Sequence, residues 1–436
     1  MRRLNAFNKT FQLGVRGTNV QTEITAGLTT FLTMVYIVVV NPAILSSAGI
    51  PFQQVFTATV IAAVVGTLYM AFFANHPIAV APGMGMNSYF ASVVATQGLS
   101  YQIVLGTVFI AGLIFLVLSF TRFREVLIEA IPATLKHGIT AGIGLFIAFN
   151  GLRMSGIIAP SEATLVKLGD LSQPVAMLTI GGLLLILALM VRRVPGALFI
   201  GMVVIAVAGL LMGQLDFKGG FASVPSAPVF FDMDLGGVFT NGLYAVVFSF
   251  LLVAIFDTTG TMIGVAEQAG LMKDGKLPQA KHALMADALA TTVGAAAGTS
   301  PSAAYIESSA GVAAGGRTGL TALTVGVLMA ATLFFSPAVE AISSLAAITA
   351  PALIIVGCFM LAGLARIEWG RMDEAFPAFI VLLMMPLTSS IATGIAVGFI
   401  TYPLLKLVAG RAREVHPLLY VFGAIFLVQM IFFPAG

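Results

Sequence analysis

The sequence predicts an all-α polytopic membrane protein built from about fifteen apolar segments in two inverted halves, and three observations carry that reading. First, 59% of the 436 residues are hydrophobic and only 9% are charged. Mean hydropathy is +1.03, and apolar runs of ~18 residues or more, each able to cross ~30 Å of hydrocarbon, recur from position 24 to the end. The runs are continuously apolar instead of alternating, which disfavours a β-barrel. Second, the basic residues gather in short connectors, as topology signals do, instead of forming a nucleic-acid surface. Third, residues 129–153 and 340–366 match in outline: Glu129-Ala130-Ile131 aligns with Glu340-Ala341-Ile342, and Gly151-Leu152 with Gly363-Leu364.

The basic start, MRRLNAFNKTFQLGVRG, lacks the apolar core and cleavage site of a signal peptide and reads as a cytoplasmic tail over 1–23. Candidate spans follow at 24–47, 51–74, 101–120, 132–157, 172–191, 195–214, 240–265, 280–298, 318–337, 349–366, 374–388 and 390–408. A last apolar stretch, 416–434, either spans or lies at the interface. Two segments broken by Gly and Pro, 76–97 and 299–316, interrupt the series at corresponding places in the two halves. With an internal N-terminus and both broken segments counted as crossings, the basic connectors all fall inside. These are Arg122 and Arg124, Arg192 and Arg193, Lys273, Lys276 and Lys281, Arg366 and Arg371, then Lys406, Arg411 and Arg413. The opposite loops hold Glu162, Asp170, Asp216, Asp232 and Asp234, with only Lys167 and Lys218. That asymmetry supports the count and a cytoplasmic N-terminus, and the inner (plasma) membrane is the expected location. An odd number of crossings between the halves makes the repeats inverted, and paired interrupted segments in such halves point to a transporter's binding site.

The broken segments and their surroundings hold the residues suited to chemistry. In HPIAVAPGMGMNSYFASVV, Pro77, Pro82, Gly83 and Gly85 resist a helix until about residue 84, after which Asn87-Ser88 can begin one. In TSPSAAYIESSA, Glu307 stands at the start of a second half-helix, with Tyr305 two residues before it. A half-helix N-terminus at membrane depth offers unpaired N–H groups and a positive dipole end. Asp257 lies inside the apolar run FSFLLVAIFDTTGTMIGVAEQAG with Thr261 one turn on, on the same face. Asp287, in the small-residue run HALMADALATTVGAAAG, either joins the chemistry or ties neighbouring helices together. Lys136, His137 and Arg153 sit near span ends, where snorkelling accounts for them.

Enzyme and metal signatures are missing from the sequence. GLMKDGKL (270–277) nearly fits a phosphate-binding loop, but Leu277 stands where a Ser or Thr would hold magnesium. The four histidines are scattered, the single cysteine, Cys358, lies in an apolar run, and neither HExxH nor GxSxG occurs. No metal, cofactor or nucleic-acid partner is expected.

Four motifs in order, TTFLTMVYIVVVNPAIL (29–45), APGMGMNSYF (81–90), FDTTGTMIGVAEQAG (256–270) and GTSPSAAYIESSAGVAAGGRTGLTA (298–322), closely resemble the AzgA-like purine permeases of the nucleobase–cation symport-2 family. The resemblance covers nearly the whole chain. It implies fourteen transmembrane segments as two inverted repeats of seven, homodimers, and proton-coupled uptake of purine bases. It also implies a core domain from 24–121 and 240–337 and a gate domain from 122–239 and 338–436. By the same resemblance Asp257 and Glu307 are acidic substrate contacts, Thr261 and Tyr305 their polar and aromatic neighbours, Asp287 an acid linked to the mechanism, and Asn87 part of the substrate-binding motif. Pro301-Ser302-Ala303-Ala304 departs from the family, where threonines are more usual. A planar neutral base rich in N–H donors and ring-nitrogen acceptors suits two acids, one of which, with or without Asp287, would carry the proton. An anion (sulfate or bicarbonate) carrier or a uracil/xanthine carrier of the same inverted-repeat fold is the alternative; two acids facing the site argue against the anion.

Overall fold

The computed structural model describes residues 10–121, 130–215, 220–272 and 277–432. Arg122, Arg124, Glu129, Asp216, Lys218, Lys273 and Lys276 lie outside the described residues. Among those described, eight helical stretches are long and apolar enough to cross a membrane, and the chain is that of an integral multi-pass protein.

The first expected span is two helices, α1 (Val20–Met34) and α2 (Ile37–Ser46), interrupted at Val35-Tyr36. Pro42 within α2 cannot donate a backbone hydrogen bond to Val38, which loosens this stretch further. Helix α3 (Phe52–Tyr69) ends in a π turn, Met70–Ala74. The first broken segment then runs as a short strand β1 (Val80–Pro82) into helix α4 (Met84–Gln97). Helix α4 is capped by Gly83 and so starts three residues before Asn87-Ser88, the expected starting point. Helices α5 (Tyr101–Phe120) and α6 (Ala133–Met154) lead to an exposed hairpin, β2 (Ile158–Ser161) and β3 (Leu165–Leu168). Helices α7 (Pro174–Val191) and α8 (Ala197–Leu211) complete the first half.

The second half opens with a short helix α9 (Leu235–Thr240), followed by α10 (Tyr244–Gln268) and α11 (Ala280–Ala297). Strand β4 (Ser302–Ala304) and helix α12 (Ser308–Ala313) form the second broken segment. The chain continues through α13 (Gly319–Thr332), α14 (Ser336–Ser343), α15 (Ala346–Met360), α16 (Met372–Thr388), α17 (Ile391–Val408) and α18 (Pro417–Phe432).

The purely helical expectation needs one correction. Strands β1 and β4 pair antiparallel, Val80 opposite Ala304, Ala81 opposite Ala303 and Pro82 opposite Ser302, with every one of these residues buried. Two non-helical runs at membrane depth have no water to bond, and each supplies the other's missing partners. The 1–23 tail needs another. Helix α1 begins at Val20, the Phe11 and Leu13 side chains are buried against Leu320, and Glu23 is fully buried. The Glu23 carboxylate accepts from the backbone N–H groups of Arg317 (2.9 Å), Thr318 (3.2 Å) and Thr321 (3.2 Å), and from the Thr321 hydroxyl at 2.6 Å. An acid on the first turn of α13 satisfies donors that the helix itself cannot.

Packing partners separate into two sets. Helix α11 packs against α3 and α5, and α13 against α1 and α3, while α12 lies along α1. Helix α6 packs against α15 and α16, α16 against α17, and α7 against α8 and α15. The α6–α15 contact is reciprocal: a Cβ on Gly144 would stand 2.6 Å from the Gly357 carbonyl oxygen, and one on Gly357 would stand 2.4 Å from that of Gly144. At one end of the second set, the buried Lys406 ammonium touches Glu374 at 2.7 Å, Glu414 at 2.8 Å and Asp373 at 3.2 Å. Its hydrogen bond holds the Glu414 carboxyl below the usual carboxylate range.

Two outcomes follow from this packing. Gly357→Val should lower the melting temperature of detergent-purified protein by several degrees, since overpacking a closed contact costs about 1–3 kcal/mol; an unchanged melting curve would show that α6 and α15 separate freely. Lys406→Met should destabilise by about 3 kcal/mol, because it leaves the buried Glu374 beside a lost cation, while Asp373 keeps Arg371 at 2.9 Å and Arg411 at 3.3 Å. Size-exclusion thermostability would check this, with Arg413→Met as the comparison that should change little.

Candidate functional site

The paired strands hold two half-helices against each other. Their backbone groups are bonded throughout: Gly83 N–H donates to the Pro301 carbonyl at 2.9 Å, and Tyr305 N–H to that of Ala79 at 2.9 Å. Neighbouring hydroxyls finish the task. Ser308 Oγ accepts from Ala79 N–H, and Thr291 Oγ1 from Ser302 N–H, both at 3.0 Å. Thr67 Oγ1 accepts from Val80 N–H at 3.0 Å and donates to the Val80 carbonyl at 2.9 Å.

Glu307 is the residue at which α12 begins, and its side chain is half-buried. Tyr36, at the break between α1 and α2, donates its hydroxyl to Glu307 Oε1 at 2.5 Å. One carboxylate oxygen is thereby occupied and Oε2 left over. Helix α10 packs on β4 and α12 and brings Asp257 within electrostatic reach of Glu307. No hydrogen bond from any described residue reaches the half-buried Asp257 carboxylate. Thr261 is half-buried one turn on, and Gly260 and Gly264 on the same side of the helix are exposed, with open space where a Cβ would point. That stripe of α10, an acid followed by small and hydroxylated residues, leaves room for a flat ligand.

The other expected residues stand behind this face. Asp287 is fully buried on α11; its Oδ2 accepts from the Thr258 hydroxyl at 2.6 Å, while Oδ1 has no partner among the described residues. Thr258 Oγ1 in turn accepts from Ala304 N–H at 3.3 Å, so Asp287 ties α11 through α10 to β4. Tyr305 is buried with its hydroxyl donated to the Pro82 carbonyl at 2.6 Å, which fixes the ring across the strand pair. Asn87 is fully buried and donates to Asn41 Oδ1 at 3.0 Å. Its amide faces a polar knot instead of open space.

Asn41 is the centre of that knot. Its Nδ2 donates to Thr59 Oγ1 at 2.7 Å and Thr299 Oγ1 at 2.8 Å; its Oδ1 accepts from Asn87 and from Ser300 Oγ at 3.2 Å. All four hydrogen-bonding positions of the amide are used. Sequence reasoning passed over both Asn41 and Tyr36. The available signal was a polar residue before a proline and a tyrosine inside an otherwise apolar run, TTFLTMVYIVVVNPAIL.

A cavity of about 580 Å³ adjoins the site. Thr29, Thr33, Ile306, Glu307 and Ala310 form one wall, and the Arg193–Leu198 turn with Phe359 forms the other. Glu307 reaches this cavity; Asp257, Thr261, Tyr305, Asn87 and Asp287 do not line it. The space therefore lies at the meeting of the two packing sets, beside one acid of the pair.

Helices broken at membrane depth, with an acid facing a cavity between two packing units, define a membrane carrier. The chain belongs to the Permease family of xanthine/uracil permeases, whose model matches residues 21–397. It is 60% identical over 428 residues to the guanine/hypoxanthine permease PbuO of Bacillus subtilis (strain 168), covering 96% of this chain and 99% of that one. It is 47% identical to PbuG, a guanine/hypoxanthine permease of the same organism, over 97% of this chain and 99% of that one. Against the adenine permease AdeP of Escherichia coli (strain K12) identity is 43%, over 98% and 96%. Among solved structures, the transmembrane domain of the cyanobacterium bicarbonate transporter BicA is similar at a TM-score of 0.66 and 14% identity, over 86% of this chain and 97% of that one. At that identity the likeness concerns the fold alone.

The Asn41 knot yields a mutational expectation. Asn41→Ala leaves Asn87, Thr59, Thr299 and Ser300 with unmet groups in a dry interior, costing ~1–3 kcal/mol for each one orphaned. Melting temperature should fall markedly; a fall no larger than that of Asn150→Ala, on an accessible helix end, would contradict the knot's role.

Proposed function

We propose that the protein is a proton-coupled symporter that takes up a purine base, guanine or hypoxanthine, across the inner (plasma) membrane. The observation that carries this reading is the Glu307 carboxylate, held at the start of α12 by Tyr36 on one oxygen and open on the other, within electrostatic reach of Asp257. The names of the similar relatives support a purine, and PbuO and PbuG favour the oxopurines over adenine.

Asp257 and Glu307 bind the base in this reading. A carboxylate accepts ring N–H groups, a protonated carboxyl donates to a ring nitrogen, and the two together read one edge of the ring. Thr261 lies beside the base, and Tyr305, its hydroxyl on Pro82, backs the site from the strand pair. Asn87 positions the first half-helix through Asn41 instead of touching the base. One of Asp257 and Glu307 carries the proton. Asp287, with its unpartnered Oδ1, supports Asp257 from behind and is the second candidate carrier. If base and proton each favour the other's binding, the proton gradient drives uptake.

The chain is arranged, we infer, as fourteen segments in two inverted repeats of seven, with a cytoplasmic N-terminus and a homodimeric assembly. The core is 24–121 with 240–337, and the gate 122–239 with 338–436. The β1–β4 pair and the reciprocal Gly144–Gly357 contact support a two-fold, because each joins residues separated by nearly the spacing of the sequence repeat. The half-helix starts of α4 and α12 would also suit an anion, which is the second reading, but ionised Asp257 and Glu307 would repel one.

Uptake of labelled hypoxanthine, guanine and adenine in cells lacking purine carriers decides between them. Wild type should accumulate an oxopurine and lose that accumulation with a protonophore. Glu307→Gln should cut uptake at least tenfold at equal expression. Bicarbonate or sulfate uptake without any purine uptake would overturn the reading.

A further inference from the structure

A second cavity, of about 450 Å³, lies on the opposite side of the crossing from the one Glu307 reaches. The first cavity follows α1 and α12, lined by Thr29 and Thr33; the second follows the far end of α2 and the half-helix α4, lined by Ser47, Ser88, Ser92 and Thr96. Each cavity thus runs along one half-helix toward one membrane face, and each has an arginine in its wall, Arg193 in the first and Arg153 in the second. The second cavity's remaining polar residues are Ser389 and Asn150, the latter one turn before Arg153 on α6. Among the described residues the Arg153 guanidinium makes no ion pair and lies 5.9 Å from the Phe149 ring centre, while the Asn150 amide has no hydrogen-bond partner. Its wall contains no carboxylate. The Ser92 hydroxyl donates to the Ser389 carbonyl, joining α4 to the end of α16 beside this space.

We propose that this cavity is an outer recruitment site for oxopurines, with Arg153 reading the O6/N7 edge of the base before it reaches the Asp257–Glu307 pair. The inference rests on the purine-uptake reading and on the N-terminus being cytoplasmic. A guanidinium presents paired donors that match the two adjacent acceptors, O6 and N7, shared by guanine and hypoxanthine. Adenine carries an amino donor in place of O6, so the same fork meets a donor and loses one bond. The cavity is large enough for one base, and the Ser88, Ser92 and Thr96 hydroxyls along α4, whose protons go to Asn87 Oδ1, the Ser389 carbonyl and the Ser92 carbonyl, offer further acceptors along its wall. Ser92 and Ser389 stand where core meets gate, so a base occupying the cavity lies beside the seam that must open for it to move inward. Arg153 snorkelling alone would leave selectivity between bases unaffected.

The test measures uptake KM for labelled hypoxanthine, and inhibition by adenine, in wild type, Arg153→Ala and Arg153→Lys at matched surface expression. Arg153→Ala should raise the hypoxanthine KM about tenfold, the loss of about 1.4 kcal/mol, with maximal rate within about twofold and adenine inhibition nearly unchanged. Lysine, a point charge without the fork, should not restore it. An unchanged KM, or an equal loss for adenine, overturns the proposal. A second readout does not depend on transport. Thr96→Cys in a Cys358→Ser background is labelled on intact cells with a membrane-impermeant maleimide. Hypoxanthine should slow labelling, should still slow it when Glu307→Gln is added, and should not when Arg153→Ala is added. No labelling, or labelling that hypoxanthine never slows, also overturns it. If the wild type takes up no purine, the transport reading fails by itself, and protection of Thr96→Cys by hypoxanthine still decides the recruitment site.

Discussion

Everything at the centre of this protein depends on one requirement: a peptide group at membrane depth must find a hydrogen-bond partner within the protein. Breaking two helices there creates several unsatisfied groups at once, each costing several kcal/mol if left bare. The β1–β4 pair answers part of that demand, and the hydroxyls of Thr67, Thr258, Thr291 and Ser308 answer more of it. Once the breaks are satisfied in this way, the starts of α4 and α12 are fixed relative to one another. Glu307 is then presented at the start of α12 with the Tyr36 hydroxyl on its carboxylate.

The same requirement separates the buried acids by task. Glu23 is consumed by the first turn of α13, with four donors around it. Asp287 is half consumed, tying α11 to α10 through Thr258. Asp257 and Glu307 keep free capacity and face the site. Equal chemistry in the side chain thus gives structural or functional character according to how many donors the fold has already aimed at it. An acid with spare acceptors in a low-dielectric setting is the costly kind, and one of the two, Glu307, reaches the cavity where the packing sets meet.

Much of the architecture was readable from the chain because its signals are local. Span lengths follow from runs of apolar residues, and the two breaks from Pro82, Gly83 and Pro301 lying among small residues. Asp257, Asp287 and Glu307 announce themselves as charges where charge is expensive. What stayed hidden depends on partners far away in the chain. Tyr36 is one more aromatic in an apolar run until Glu307, 271 positions on, is placed beside it. Asn41 gains meaning only with Thr299 and Ser300. Periodicity could not announce a three-residue strand, since its partner lies in the other half of the molecule. Glu23 looked like the end of a basic tail because its four donors come from the second half.

Those long separations impose an order on assembly. The first helix leaves the ribosome carrying Glu23, whose nearest donor in sequence, Arg317 N–H, lies 294 positions later. At a synthesis rate of roughly 5–20 residues per second, that interval is about 15–60 s. Through it the helix must be held by the insertion machinery or sit shallow in the interface with its acid wet. The strand β1 waits in the same way for β4. Final seating of the N-terminal helix is therefore a late event in biogenesis, and completion of α13 acts as the clasp that closes the first half of the molecule.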